Sequence, residues 1–192
     1  MKILVTYYSE TGNTAKIAGA IHEAVSSRGH KAHLKALGDV TADDLRAYDL
    51  VFLGSACHDA DLARPVKQIL EQIPNSPAFK MAGFVTHASY TPEGGDREGQ
   101  IHETWAARCV LSFGQACQEK GIEFLGYYGC MGAPSPPIEQ FIHNTIVTDE
   151  EEWKRYLEEV RGHPDDDDLR RAAEFAAQVL AGPGEVLTKC EI

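Results

Sequence analysis

The chain has 192 residues, of which 43% are hydrophobic and 24% charged, and its formal net charge is −11. These values fit one globular domain, and the acidic balance argues against nucleic-acid and membrane partners, since both need a basic patch. The chain has no apolar run long enough for a signal peptide or a membrane span, and its five cysteines show no disulfide or zinc spacing, so we expect a reduced, cytoplasmic protein.

Strands and helices alternate along the first half of the chain. Apolar, β-rich runs predict strands at residues 2–8, 30–37 and 50–55. Helical spacing of apolar residues predicts helices at 13–29 and 64–73, and Thr41 can cap a single helical turn within 41–49.

The second half continues the alternation and then departs from it. Strands are predicted at 81–90 and 122–130, a long helix at 100–121 and a final helix at 165–182. Between them, three prolines (Pro134, Pro136, Pro137) argue against regular helix, and a short surface helix is predicted to begin at Thr148 in a capping box with Glu151. Strands that alternate with helices indicate a three-layer α/β fold with a five-stranded parallel sheet.

Stretches rich in short polar residues follow three of the strands, at residues 9–14, 55–62 and 88–99, and the first and third also contain glycine. Ligands of parallel α/β proteins bind at the carboxyl ends of the strands, so these stretches predict one site. In the first, "SETGNT", hydroxyl and amide side chains surround Gly12 at the start of a helix, where free N–H groups attract anions. The stretch contains no lysine or arginine, which distinguishes it from a nucleotide-hydrolysing P-loop.

The stretch "YYSETGNTAKIAGAI" resembles the phosphate loop of the flavodoxin family, although Thr6 stands where an apolar residue is usual. The resemblance implies a single flavodoxin-like domain over residues 1–192, a doubly wound sheet of order 2-1-3-4-5, and an insertion at 131–163. It also implies that FMN is the cofactor. Its phosphate would be held by the first stretch, that is by Ser9, Glu10, Thr11, Gly12, Asn13 and Thr14.

The flavin ring would then lie between the other two stretches. The resemblance implies contacts from Ser55, Ala56, Cys57, His58, His87, Ala88, Ser89 and Tyr90. Tyr90 is the candidate for stacking on the ring, with its hydroxyl in water, and the alternative is a loop residue that covers the sheet edge. Cys57 is either a small buried hydrophobe or a flavin contact.

No metal site is predicted. His58 and His87 follow adjacent strands, but no third ligand stands at a recognisable spacing. The acidic run at 163–168 is explained by a helix start, where acids complement the helix dipole. Trp105 and Trp153 are predicted to be packing residues.

The favoured function is an FMN-binding electron carrier that shuttles electrons between redox partner proteins, with basic docking surfaces that complement the acidic chain. The alternative is an NAD(P)H-dependent FMN or quinone reductase, in which NAD(P)H is a further partner and the 131–163 segment helps to form a pocket. A third reading is a binding module that has lost its cofactor.

Overall fold

The computed structural model describes residues 1–92 and 94–182; Glu93 and Cys190 lie outside the described residues. The strands are β1 (Lys2–Tyr7), β2 (Lys31–Ala36), β3 (Leu50–His58), β4 (Asp61–Leu62), β5 (Lys80–His87) and β6 (Phe124–Met131). The helices are α1 (Asn13–Ser26), α2 (Ala42–Leu45), α3 (Arg64–Gln72), α4 (Asp96–Trp105), α5 (Arg108–Lys120), α6 (Pro136–Thr145), α7 (Glu150–Val160) and α8 (Asp166–Ala181).

Five parallel strands form the sheet in the order β2-β1-β3-β5-β6. This is the predicted 2-1-3-4-5 order when the parallel strands alone are counted, and the α/β prediction is confirmed. The short β4 is an addition that pairs antiparallel with the end of β3. Strand order reverses at β1 and β3, so the crevice between their carboxyl ends is the expected ligand position.

Alternate residues of β1, β3 and β5 contact opposite layers of helices. One face of the sheet packs Leu4, Val51 and Met81 with α3 and α5, and the other packs Ile3, Phe52 and Phe84 with α1 and α8. Strands buried on both faces explain the continuous apolar runs in the sequence. Among the described residues, no helix is long and apolar enough to cross a membrane.

The predicted long helix at 100–121 is wrong, because the chain forms two helices there. Ala106 leaves helical geometry, with φ −140° and ψ −33°, between α4 and α5. The break separates two apolar stripes with different partners: Cys109 and Phe113 of α5 pack on the sheet, while Trp105 of α4 contacts Phe141 of α6. A straight helix would direct both stripes to one side.

The segment between β6 and α8 is more helical than its prolines suggested. Pro136 is the first residue of α6, where a missing N–H costs nothing, so the prediction of an irregular segment is wrong there. The predicted surface helix exists as α7, but Asp149 caps it by accepting from Glu152 N, one residue after the predicted pair. Both helices pack around a third apolar cluster of Tyr90, Met131, Ile142, Val147, Tyr156 and Val160.

Candidate functional site

A cavity of about 600 Å³ opens at the carboxyl ends of β1, β3 and β5. Its volume lies within the range of small-molecule and cofactor sites, roughly 300–1,000 Å³. All three predicted stretches contribute to its wall, so the structure brings them together as expected. The predicted site residues that line the wall are Glu10, Thr11, Asn13, Ala56, Cys57, His58, His87, Ala88, Ser89 and Tyr90.

The first stretch ends in an uncapped helix start. Gly12 occupies the N-cap position of α1 with φ +92°, a left-handed conformation that favours glycine, and no side chain caps the helix. The first helical hydrogen bond runs from Lys16 N to Gly12 O. The amide groups between them therefore have no partner within the helix and are suited to an anion.

Side chains of this stretch divide into those that face the cavity and those that hold the loop. Thr11 and Asn13 line the cavity, and Asn13 Nδ2 donates to Thr11 Oγ1 (3.0 Å) and Ala133 O (2.8 Å). Ser9 Oγ accepts from Gly12 N at 3.1 Å and so shapes the turn. Thr14 Oγ1 lies 2.8 Å from Thr86 Oγ1, in a buried pair that joins α1 to β5.

The second stretch is not the loop that the sequence predicted. Strand β3 continues to His58 and turns back into β4 through Asp59 and Ala60, both with positive φ. Ser55 is fully buried, and its Oγ accepts from Ala63 N at 2.9 Å, so this hydroxyl holds the hairpin. The tight turn also places Asp59 and Ala60 on the cavity wall, which the sequence did not predict.

Cys57 and His58 lie on the same wall as Glu10. The Cys57 thiol donates to Trp105 O at 3.3 Å, and His58 Nε2 lies 3.5 Å from Glu10 Oε2. These contacts tie the hairpin both to α4 and to the first stretch. The β3–β4 hairpin, which forms this part of the cavity wall, therefore has contacts on two sides.

Two buried polar groups lie at the end of β5, His87 as its last residue and Ser89 in the third stretch. His87 is 4% exposed, and burial, together with the charge of His102, lowers its pKa to about 3. Ser89 is 6% exposed, and its hydroxyl has no hydrogen-bond partner among the described residues. A buried hydroxyl without a partner is rare, and this one belongs to the cavity wall, which fits a polar ligand there.

Tyr90 lines the cavity, but most of its side chain is buried in the protein. The ring is 4% exposed and packs edge-to-face on Tyr156, with 5.5 Å between centroids. Burial, with the nearby Glu152 carboxylate second, raises the pKa of Tyr90 to about 12. Ligand stacking on Tyr90 stays a prediction, and it would use only the part of the ring that the cavity exposes.

A fourth wall comes from the 131–163 segment, which only the reductase alternative places at a pocket and for which no individual residues were predicted. The turn after β6 and helix α6 close the cavity with Gly132, Ala133, Pro134, Ser135, Pro137, Ile138, Phe141 and Ile142. Trp105 also lines it, in edge-to-face contact with Phe141 at 5.7 Å. The signal for this wall was Ser135 followed by proline, the usual start of a helix.

The acidic run near α8 is held by its own hydrogen bonds. Ligand atoms of His163, Asp165 and Asp168 lie within 4.8 Å of one another. Asp165 and Asp168 form a reciprocal capping box at the start of α8, and His163 Nδ1 bonds to Asp168 Oδ2. Capping thus accounts for this arrangement, as the sequence predicted for the acids.

The family model described as "Flavodoxin domain" matches residues 4–177. The chain belongs to the flavodoxin domain family. Flavodoxin-like domain-containing protein BilS of Clostridioides difficile (strain CD3) is 28% identical over 185 residues, which cover 94% of this chain and 97% of that protein.

Solved flavodoxins share the fold of this family member. Oxidised Flavodoxin 2 from Bacillus cereus superposes with a TM-score of 0.64 at 21% identity, covering 94% of this chain and 99% of the other. Two-electron reduced Megasphaera elsdenii flavodoxin gives 0.55 at 16% identity, with 92% and 98% covered. At these identities the likeness shows the fold alone.

Proposed function

We propose that this flavodoxin-family chain binds FMN in the 600 Å³ cavity and carries electrons between partner proteins. The observation that carries the proposal is the uncapped start of α1 behind Gly12, beside Thr11 and Asn13 on the cavity wall. A phosphate there would be held by amide and hydroxyl donors, because residues 9–14 contain no basic side chain.

The remaining walls suit the ring of the same cofactor. Ser89 supplies an unpartnered hydroxyl, and Tyr90 and Trp105 supply aromatic surface. The flavin supplies the electron chemistry when it is bound, while the chain binds it, orients it and limits its contact with water. The fold shared with solved flavodoxins, one of them in a two-electron reduced state, supports this assignment.

The direct test compares FMN with riboflavin, which lacks the phosphate. We expect Thr11→Val to weaken FMN binding about tenfold, because a hydrogen bond to a charged group contributes roughly 1.5–3 kcal/mol. Riboflavin affinity should not change, and Thr104→Val, at an exposed threonine of α4 outside the cavity wall, is the matched control. Affinity is measured by quenching of flavin fluorescence; a protein that binds neither flavin would overturn the proposal.

Carrier and reductase are separated by the electron donor that the protein accepts. The loaded protein is titrated anaerobically with NADH, then NADPH, then dithionite, while the oxidised flavin absorbance is followed. We expect dithionite alone to bleach it. Rapid bleaching by either nucleotide would instead support the reductase, with the wall of residues 132–147 as part of its pocket.

The negative charge of the chain and its free cysteines support proposals about its partner proteins and its cellular compartment. The net charge of −11 supports docking to basic surfaces of redox partner proteins. The four cysteines that the structure describes, Cys57, Cys109, Cys117 and Cys130, are all free thiols, which supports a reducing, cytoplasmic compartment.

A further inference from the structure

Two histidines from different elements meet at the cavity wall. His87 ends β5 and His102 lies in α4, and their rings are in edge-to-face contact with centroids 5.1 Å apart and an interplanar angle of 69°. His87 lines the cavity and is 4% exposed, whereas His102 is half-buried. His102 is therefore the more solvent-accessible member of the pair.

Hydrogen bonds determine which nitrogen of each ring carries the proton. His87 Nδ1 lies 3.1 Å from Ser89 O, and His102 Nδ1 lies 2.8 Å from Tyr90 O. A carbonyl oxygen only accepts, so both Nδ1 atoms must donate. In the neutral rings each Nε2 is then a free proton acceptor, and neither Nε2 is hydrogen-bonded to a residue that the structure describes.

Burial and the neighbouring His102 favour the neutral form of His87, and a negative charge in the cavity would favour its protonated form. Burial and His102 oppose its protonation, which lowers its pKa to about 3. The other titratable groups on the cavity wall are Glu10, Cys57, His58 and Asp59 at the first two walls and the phenols Tyr90 and Tyr156. An added negative charge inside the cavity would raise the pKa of His87, since an opposite charge favours the protonated ring.

We propose that His87 takes up a proton when the cofactor bound in this cavity is reduced, and that His102 delivers it from solvent. The proposal rests on the FMN site proposed above. The reductant would supply the electrons to the bound cofactor, and for each reduced cofactor one solvent proton would be bound at His87 Nε2. The protonated His87 ring then balances the added negative charge in a cavity whose described lining contains no lysine or arginine.

Ring ¹⁵N NMR of histidine-labelled, FMN-loaded wild-type protein tests this without a variant. At about pH 5.5, between the pKa of about 3 and the ordinary 6.5, we expect His87 to be neutral when the flavin is oxidised. After reduction with dithionite both of its ring nitrogens should be protonated. The signals are assigned by their loss in H87Q and H102Q; a His87 that stays neutral in the reduced protein overturns the proposal.

Proton uptake gives a second, independent readout. In weakly buffered solution with a pH indicator, H87Q should take up fewer protons per reduced flavin than wild type, by up to one. H102Q should take up the wild-type number more slowly, and H143Q, outside the cavity wall, should match wild type in both number and rate. Equal uptake by H87Q and wild type contradicts the proposal. If the wild-type protein does not retain FMN, the proposed function is overturned together with this inference. If it retains FMN and His87 stays neutral after reduction, only this inference is overturned.

Discussion

Thr14 shows how the fold uses a hydroxyl that the sequence pattern assigns to phosphate binding. It is 1% exposed, and its Oγ1 lies 2.8 Å from that of Thr86, which is 5% exposed. Each hydroxyl is the buried partner of the other. The hydrogen bond between them therefore holds the start of α1 next to the end of β5. Both of these elements contribute to the cavity wall.

We expect Thr14→Val to lower the free energy of unfolding by about 1–3 kcal/mol, because it leaves the buried Thr86 hydroxyl without its partner. Urea unfolding of the FMN-free protein measures this loss. The double variant with Thr86→Val should lose less than the sum of the two single changes. Strict additivity would show that the two hydroxyls do not interact.

His87 makes the stability of the FMN-free protein depend on pH. The unfolded chain binds a proton near the ordinary pKa of 6.5, whereas the folded protein binds it only near 3. The unfolded state therefore holds more protons between these values, and stability falls as the pH drops below 6.5.

At about pH 5 this loss amounts to about 2 kcal/mol, from 1.36 kcal/mol per pKa unit. His87→Gln removes the titrating group, so its unfolding free energy should change less between neutral pH and pH 5 than that of wild type. Urea midpoints at several pH values measure the difference. Parallel pH profiles for the two proteins would contradict the pKa assignment.

At the scale of elements, helix α7 supports the third stretch from outside the sheet. Tyr156 is 1% exposed, and its hydroxyl donates to Ala88 O at 2.6 Å. Tyr128 makes a similar bond from β6 to Asp168 O at 2.8 Å, away from the cavity wall. The two tyrosines provide a matched pair for testing what α7 does.

We expect Tyr156→Phe and Tyr128→Phe each to lower stability by about 1 kcal/mol, the usual contribution of one hydrogen bond. Only Tyr156→Phe should also weaken FMN binding, several-fold, because Ala88 belongs to the cavity wall. Thermal unfolding and flavin fluorescence titration separate the two effects. Equal FMN affinity in both variants would mean that α7 does not position the site.

Close packing within the sheet depends on glycine at one position of β3. A Cβ added at Gly54 would meet the Phe84 ring within 2.2 Å, and Phe84 is fully buried. At Gly19 of α1, by contrast, no atom lies within 4 Å of an added Cβ. The two positions therefore predict opposite effects of alanine.

Gly54→Ala should destabilise the protein by about 1–3 kcal/mol through overpacking. Gly19→Ala should stabilise it by roughly 0.5–1 kcal/mol, since alanine favours a helix interior. Differential scanning calorimetry compares the two melting temperatures with wild type. A Gly54→Ala protein as stable as wild type would show that the Phe84 ring can move aside.

For the whole molecule, the net charge predicts how the rate of association with charged partners depends on salt. At a net charge of −11, long-range attraction should speed encounters with basic partners and weaken as salt screens it. The reduced, FMN-loaded protein should transfer electrons to a basic haem protein such as cytochrome c about tenfold more slowly when ionic strength rises from about 0.01 to 0.5 M. Stopped-flow absorbance measures the rate, and an uncharged quinone is the control acceptor. A salt-independent rate with cytochrome c would exclude electrostatic docking.

The strand order came from the resemblance to the flavodoxin family. The sequence pattern by itself determined the parallel strands and the position of the glycine turn before α1. These features depend on local periodicity and on turn chemistry, which neighbouring residues encode. The same local signals single out Thr11 and Asn13, which line the cavity, and their contact with phosphate stays a prediction.

Only the tertiary structure decided how distant segments complete the site. The break at Ala106 sends Trp105 toward α6 rather than toward the sheet, and the β3–β4 hairpin removes the Ser55 hydroxyl from the cavity. The Thr14–Thr86 and Tyr156–Ala88 hydrogen bonds join residues 72 and 68 positions apart. The spacing of residues along the chain does not predict such pairs, because packing between elements determines burial and hydrogen-bond partners.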